Sequence, residues 1–153
     1  RDGLLVAGAN TTRSFTIKDG GLLRRDVDRL TRTLAQAAHA DLRVIVCHHP
    51  FDVPSGRAAR LTRPRPDADA VATLVERGAD VFLTGHLHVS YTGGSALRYR
   101  VPGRSAIVVE AGTAASTRVR GERNAFNVLH TARNRVTVVR MEWDPARGSF
   151  DAQ

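Results

Sequence analysis

Two continuous apolar runs restrict this chain more than any other feature: Val44-Ile45-Val46-Cys47 and Val81-Phe82-Leu83-Thr84. Neither alternates polar with apolar residues, which is the pattern of strands covered on both faces in a parallel sheet. Helical repeats precede each run. Leu23, Val27, Leu30 and Leu34 recur at helical spacing with Arg24, Arg25, Asp28, Arg29 and Arg32 on the opposite side. The second helix is predicted from about Asp67 to Arg77, with Val71, Leu74 and Val75 inward, Asp67 as its N-terminal cap and Gly78 as its stop. A short strand over Leu4 to Gly8 opens the chain, and Thr16-Ile17 suggests another before a turn at Asp19-Gly20-Gly21. Beyond Thr84 the reading is β-rich. Strands are predicted near Tyr91-Thr92, Arg98 to Val101, Ala106 to Ala111, Ala125 to Thr131 and Arg135 to Trp143, with a hairpin turn at Asn134. Strand, helix, strand, helix, strand, then antiparallel strands describes an α/β layered sandwich with a mixed sheet.

Both apolar runs end in histidines, His48-His49-Pro50 after the first and Gly85-His86-Leu87-His88 after the second. Ligands in open α/β sheets bind beyond the carboxyl ends of the strands, so these imidazoles stand where a site forms. Neutral imidazole suits zinc, iron and manganese. Taken as extended, the second segment points His86 and His88 the same way, because side chains alternate along a strand. Gly85 supplies backbone freedom for a turn beside them. His39, near a helix end, and His130, within a late strand, read as structural or surface residues. Three imidazoles at the ends of neighbouring buried strands are harder to explain as packing, since buried polar groups need partners. Residue type and spacing thus mark His48, His86 and His88 as metal ligands. They leave His49 open between a donor to the ligands and a catalytic, substrate-facing group.

Composition excludes several classes. The 153 residues fit one domain or a large part of one, and 42% hydrophobic residues suffice for a core. No apolar run approaches the ~20 residues of a membrane span. A single cysteine, Cys47, permits no internal disulfide and fits a reducing, cytoplasmic compartment. Lys18 is the only lysine among 23 basic residues. The net charge of +8 therefore rests on scattered arginines, and with aromatics at 5% a nucleic-acid role is disfavoured.

The segments Val44 to Phe51 and Val81 to His88, with Glu110-Ala111-Gly112-Thr113-Ala114 and Arg118 to Asn127, resemble the calcineurin-like metallophosphoesterases. Within them, the likeness is greatest to the bacterial branch that includes cyclic-nucleotide phosphodiesterases. The resemblance spans about Leu4 to Trp143. It implies a layered α/β/β/α sandwich and two divalent metal ions (manganese, iron or zinc) acting on a phosphoester, with a phosphodiester favoured. His48 and His86 would bind one ion and His88 the other, the two being bridged by a carboxylate and a hydroxide. The family also uses earlier Asp-x-His, Gly-Asp-x-x-Asp and Gly-Asn-His segments. Here no glycine precedes Asp or Asn, and no Asp lies two before a His. Residues 1–153 thus read as a single partial domain, the C-terminal half of the sandwich, and the opening at Arg1 just ahead of a strand fits an excised piece.

Three functions follow as expectations. The first is a phosphoester hydrolase whose histidine half requires the N-terminal half or a second copy of the chain as partner. The second is a non-catalytic binding module or inactive fragment of that fold. The third is a mononuclear histidine-based hydrolase, with Glu110 and Asp52 the nearest candidates for a general base. An arginine-rich loop with Arg57, Arg60, Arg63 and Arg65 is open between phosphate binding and a solvated surface. Arg118, Arg120 and Arg123 pose the same choice, and the structural side is favoured: near Gly112-Thr113 they would brace the fold by pairing with Glu122.

Overall fold

The computed structural model describes residues 3–12, 21–50, 68–117, 121–132 and 135–153. The Thr16-Ile17 strand, the Asp19-Gly20 turn, Asp52, the arginine-rich loop, the Asp67 cap, Arg118, Arg120 and the Asn134 turn lie outside them. The elements run β1 (Leu4–Ala9), α1 (Arg24–Gln36), β2 (Leu42–Cys47), α2 (Ala68–Glu76), β3 (Val81–Thr84), β4 (Tyr91–Gly94), β5 (Ile107–Glu110), β6 (Ala125–Ala132), β7 (Arg135–Asp144) and β8 (Ser149–Ala152). They form an α/β fold. A mixed five-stranded sheet has the order β1-β2-β3-β5-β4, and a C-terminal antiparallel sheet has the order β6-β7-β8. Within the first sheet β1, β2, β3 and β5 are parallel, and β4 is antiparallel at one edge.

The apolar runs are covered on both faces, and alternation along each strand divides the residues between two cores. Ile45, Phe82 and Val108 face the helices, packing with Leu30 and Leu34 of α1 and with Val71, Leu74 and Val75 of α2. Val44, Val81 and Val109 face the other way, against Leu129, Val136 and Val138 of the second sheet. Helices, mixed sheet and antiparallel sheet thus make three successive layers. The edge strand β1 is covered on one side only: Leu5, Ala7 and Ala9 join the helix-side core, whereas Leu4 and Val6 are exposed.

Local chemistry explains the boundaries. The α2 helix ends in a Schellman motif: Ala79 N–H donates to Leu74 C=O at 2.9 Å and Gly78 N–H to Val75 C=O at 3.0 Å. Gly78 sits at φ +100°, which its missing Cβ allows. At the base of the sheet, Asp80 Oδ2 accepts from the backbone N–H of Arg43 at 2.9 Å and from its Nε at 3.1 Å, tying β2 to β3. Among the described residues no helix is long and apolar enough to cross a membrane.

One reading of the late chain is corrected, and one further strand is added. Arg98 to Val101 is not a strand; a single 3-10 turn (Ser95–Leu97) leads to an isolated bridge between Val101 and Arg104. Tyr99 and Val101 are buried while Arg98 and Arg100 are exposed, so the segment has a strand's burial period without a ladder. The strand β8, for which the sequence carries little β signal, pairs with β7 through Trp143↔Phe150.

Candidate metal centre

Adjacent parallel strands put their sequels at the same end of the sheet. β2 and β3 pair through Val46↔Leu83, so His48-His49 and His86 emerge side by side. A backbone hydrogen bond from Gly85 N–H to His48 C=O, 3.1 Å, joins the two segments directly. The ligand atoms of His48, His49 and His86 all lie within 4.8 Å of one another. Their ring centroids are 4.6 to 5.0 Å apart, and His48 Nε2 is 3.0 Å from His86 Nδ1.

Each imidazole is held differently. His48 is exposed, while His49 is buried. One hydroxyl, that of the buried Thr11 just beyond β1, meets His49 twice: it accepts the backbone N–H at 3.2 Å and lies 2.8 Å from Nδ1. A hydroxyl has one proton and two lone pairs, so it can serve Nδ1 in either tautomer. Any ligand role for His49 then falls to Nε2.

His86 makes the turn itself. Leu87 N–H donates to Gly85 C=O at 3.0 Å, and His86 has φ 74°, a γ-turn with the residue in the left-handed region. His88 also has a positive φ, 60°. The expectation of an extended 86–88 segment with parallel side chains is therefore corrected. So is the role given to Gly85: it is not among the glycines with positive φ, and a Cβ there would meet only ordinary contacts at 3.9 Å. Left-handed backbone costs a non-glycine residue about 1–2 kcal/mol, and such strain concentrates at functional sites. His86→Gly and His88→Gly are each expected to be roughly 1 kcal/mol more stable than the alanine variant at the same position, after allowing for glycine's larger unfolded-state entropy. Equal urea midpoints for glycine and alanine would show that the turn is unstrained.

The structure brings together His48, His49 and His86; His88 stands outside that group among the described residues. His88 Nδ1 instead lies 2.6 Å from Thr113 Oγ1. Glu110 is fully buried at the end of β5 and is not part of the imidazole group. Glu122 takes Arg140 Nη2 at 3.1 Å and Ser90 N–H at 2.9 Å, while Arg123 faces Glu142 at 3.8 Å, so the expected Arg123–Glu122 brace is replaced. Thr11 and Thr113 are the positioning residues that sequence reasoning missed. Thr11 is 38 positions from His49 and Thr113 is 25 from His88, and no local spacing marks either pairing.

The donor set fits a metal ion. Two imidazoles on one ion, at about 2.0–2.1 Å each, place their nitrogens about 3–3.4 Å apart. The 3.0 Å separation of His48 Nε2 and His86 Nδ1, which is equally a hydrogen-bond distance, falls at the start of that range. The threonine hydroxyls beside Nδ1 of His49 and of His88 are of the kind that fixes tautomer and ring orientation when an imidazole ligates a metal.

No family model matches the sequence. No curated protein matches it either. Among solved structures, the chain is similar to a Staphylococcus aureus protein assigned as a 5'-nucleotidase and solved with alpha-ketoglutarate, at 18% identity and a TM-score of 0.45. That alignment covers 97% of this chain and 25% of the other, so this chain spans a quarter of that relative's length. It is also similar to a single mutant of Vps29 from Entamoeba histolytica, at 17% identity and a TM-score of 0.39, over 98% of this chain and 96% of that one. A double mutant of the same protein gives 16% identity and a TM-score of 0.40 over the same shares.

Proposed function

We propose that this chain supplies the histidine ligands of a metal-dependent phosphoester hydrolase, with a phosphodiester as substrate. The observation that carries the reading is the gathering of three imidazoles at the carboxyl ends of two adjacent parallel strands. The Gly-His-x-His and His-His-Pro resemblance supplies the substrate class. His48, His49 and His86 would hold one divalent ion, and His88, oriented by Thr113, would contribute to a second. Such ions supply Lewis acidity toward phosphoryl oxygens and activate water at neutral pH. The chain's own contribution is orientation. Thr11 fixes the buried His49, the γ-turn aims His86, and the exposed His48 stands on the solvent side where substrate arrives.

A bridged pair of ions also needs carboxylates, and among the described residues none joins the imidazole group. In this reading they come from an N-terminal half or a second copy of the chain. The same observation favours the second reading, a metal-binding module without catalysis. Manganese-supported hydrolysis of a chromogenic phosphodiester, alone and after adding the N-terminal half, separates the two. Hydrolysis in either arm is the expected result, and silence in both would leave the module. Thr11→Val keeps volume and removes the hydroxyl. At limiting manganese it is expected to weaken metal binding about 10–100-fold, as loss of an outer partner does. Undiminished affinity would mean that Thr11 serves the fold alone.

A further inference from the structure

The order β1-β2-β3-β5-β4 sets β5 between β3 and β4. Residues 85–90, which join β3 to β4, therefore cross the carboxyl end of β5, a span of two strand spacings or about 9.5 Å. Six residues reach that distance with chain to spare, so length alone does not fix their path. His86 and His88 nevertheless both hold positive φ, 74° and 60°. Such backbone persists in a residue with a Cβ only where its surroundings over-determine it. At the β3 end, Gly85 N–H donates to His48 C=O at 3.1 Å, and the Leu87 side chain is buried. At the β4 end the hold comes from another layer. Ser90 N–H donates to Glu122 Oε2 at 2.9 Å, and the same oxygen accepts from Arg140 Nη2 of β7 at 3.1 Å. Arg140 Nη2 is also 3.1 Å from Glu142 Oε2. The loop after β5 closes on Ser90 as well, since a Cβ at Gly112 would stand 2.6 Å from Ser90 Oγ.

We propose that Glu122 is a positioning residue for the histidine turn, carrying the hold of the second sheet to Ser90 and so keeping His86 and His88 left-handed. A carboxylate suits the task because Arg140 matches its charge, with 26% and 30% of the two side chains exposed. Hydrogen bonds to an ionised group are about twice as strong as neutral ones, and a partly buried pair is screened by salt less than an exposed one. Glu122 acts through the backbone, two residues past His88. Its effect on a bound ion rests on the metal reading proposed above, whereas its effect on the turn does not.

Two measurements test this, the first without metal. Urea midpoints of His88→Gly and His88→Ala are compared in the parent chain and in a Glu122→Ala background. In the parent, glycine should be the more stable, because it takes left-handed backbone without a Cβ clash. In the Glu122→Ala background that advantage should vanish, the released turn being free to leave the left-handed region. An advantage of equal size in both backgrounds, or none in the parent, overturns the proposal. The second measurement is calorimetric zinc titration of variants that keep every histidine. Glu122→Ala should bind about tenfold more weakly, the lower end for losing an outer partner. Glu122→Gln, whose amide oxygen can take the place of Oε2, should recover most of that loss. Glu142→Ala breaks the neighbouring ion pair with Arg140 and leaves Ser90 held, so it should bind zinc as the parent does. Unchanged affinity in Glu122→Ala, or an equal loss in Glu142→Ala, overturns the proposal. If the parent itself binds no zinc, the metal reading fails, and the urea comparison alone decides for or against Glu122.

Discussion

Replacing His86 with alanine is expected to weaken manganese or zinc binding by more than about 100-fold, beyond the 10–100-fold typical of losing an outer partner. The removed group is one of three imidazoles gathered within 4.8 Å, and the one facing His48 at 3.0 Å. Folding should survive, because alanine relieves no packing debt in a partly exposed turn and keeps the Leu87 to Gly85 backbone bond. His39→Ala, at an exposed position past the end of α1, is the control and should bind metal as the parent does. Calorimetric titration of the two variants decides the matter. Equal affinity would mean that the cluster holds metal without His86 or not at all.

The second large effect falls on stability. Phe82→Ala is expected to cost about 3–5 kcal/mol, the range for removing a buried aromatic ring. Phe82 is completely buried, on the strand between β2 and β5, within the core shared with α1 and α2. Against a typical total of about 5–15 kcal/mol, that loss removes a large share of folding stability. It should also loosen the site, since Gly85 and His86 follow directly after Thr84, the last residue of β3. Leu97, 81% exposed, is the contrast, and Leu97→Ala should stay within about 0.5 kcal/mol. Urea midpoints measure both, and a shift for Phe82→Ala no larger than that for Leu97→Ala would remove β3 from the centre of the core.

The parallel strands and the first helix were legible because burial on two faces writes itself as unbroken apolar runs, and burial on one face as a helical repeat. Strand β8 was not, because Ser149–Ala152 owes its conformation to pairing with β7 across the Asp144–Ser149 turn, a tertiary effect on a short segment. Arg98 to Val101 misled for the opposite reason: its alternating burial is real, but Pro102 next to it has no N–H for a ladder. At the site, residue types and spacing revealed the histidines, whereas the backbone carrying them was hidden. Nothing in a Gly-His-x-His string announces two histidines at positive φ, a conformation uncommon for any residue but glycine. The burial order of His48 and His49 was equally hidden, because it depends on Thr11, brought in from the end of β1.

The most direct test of the metal reading is the coordination shell of the ion itself. Zinc added to the chain at one equivalent should show, by X-ray absorption at the zinc edge, three imidazole nitrogens at about 2.0–2.1 Å. Removing His48, His49 or His86 should lower that count to two. A shell of oxygens with one imidazole or none, unchanged by those substitutions, would contradict it.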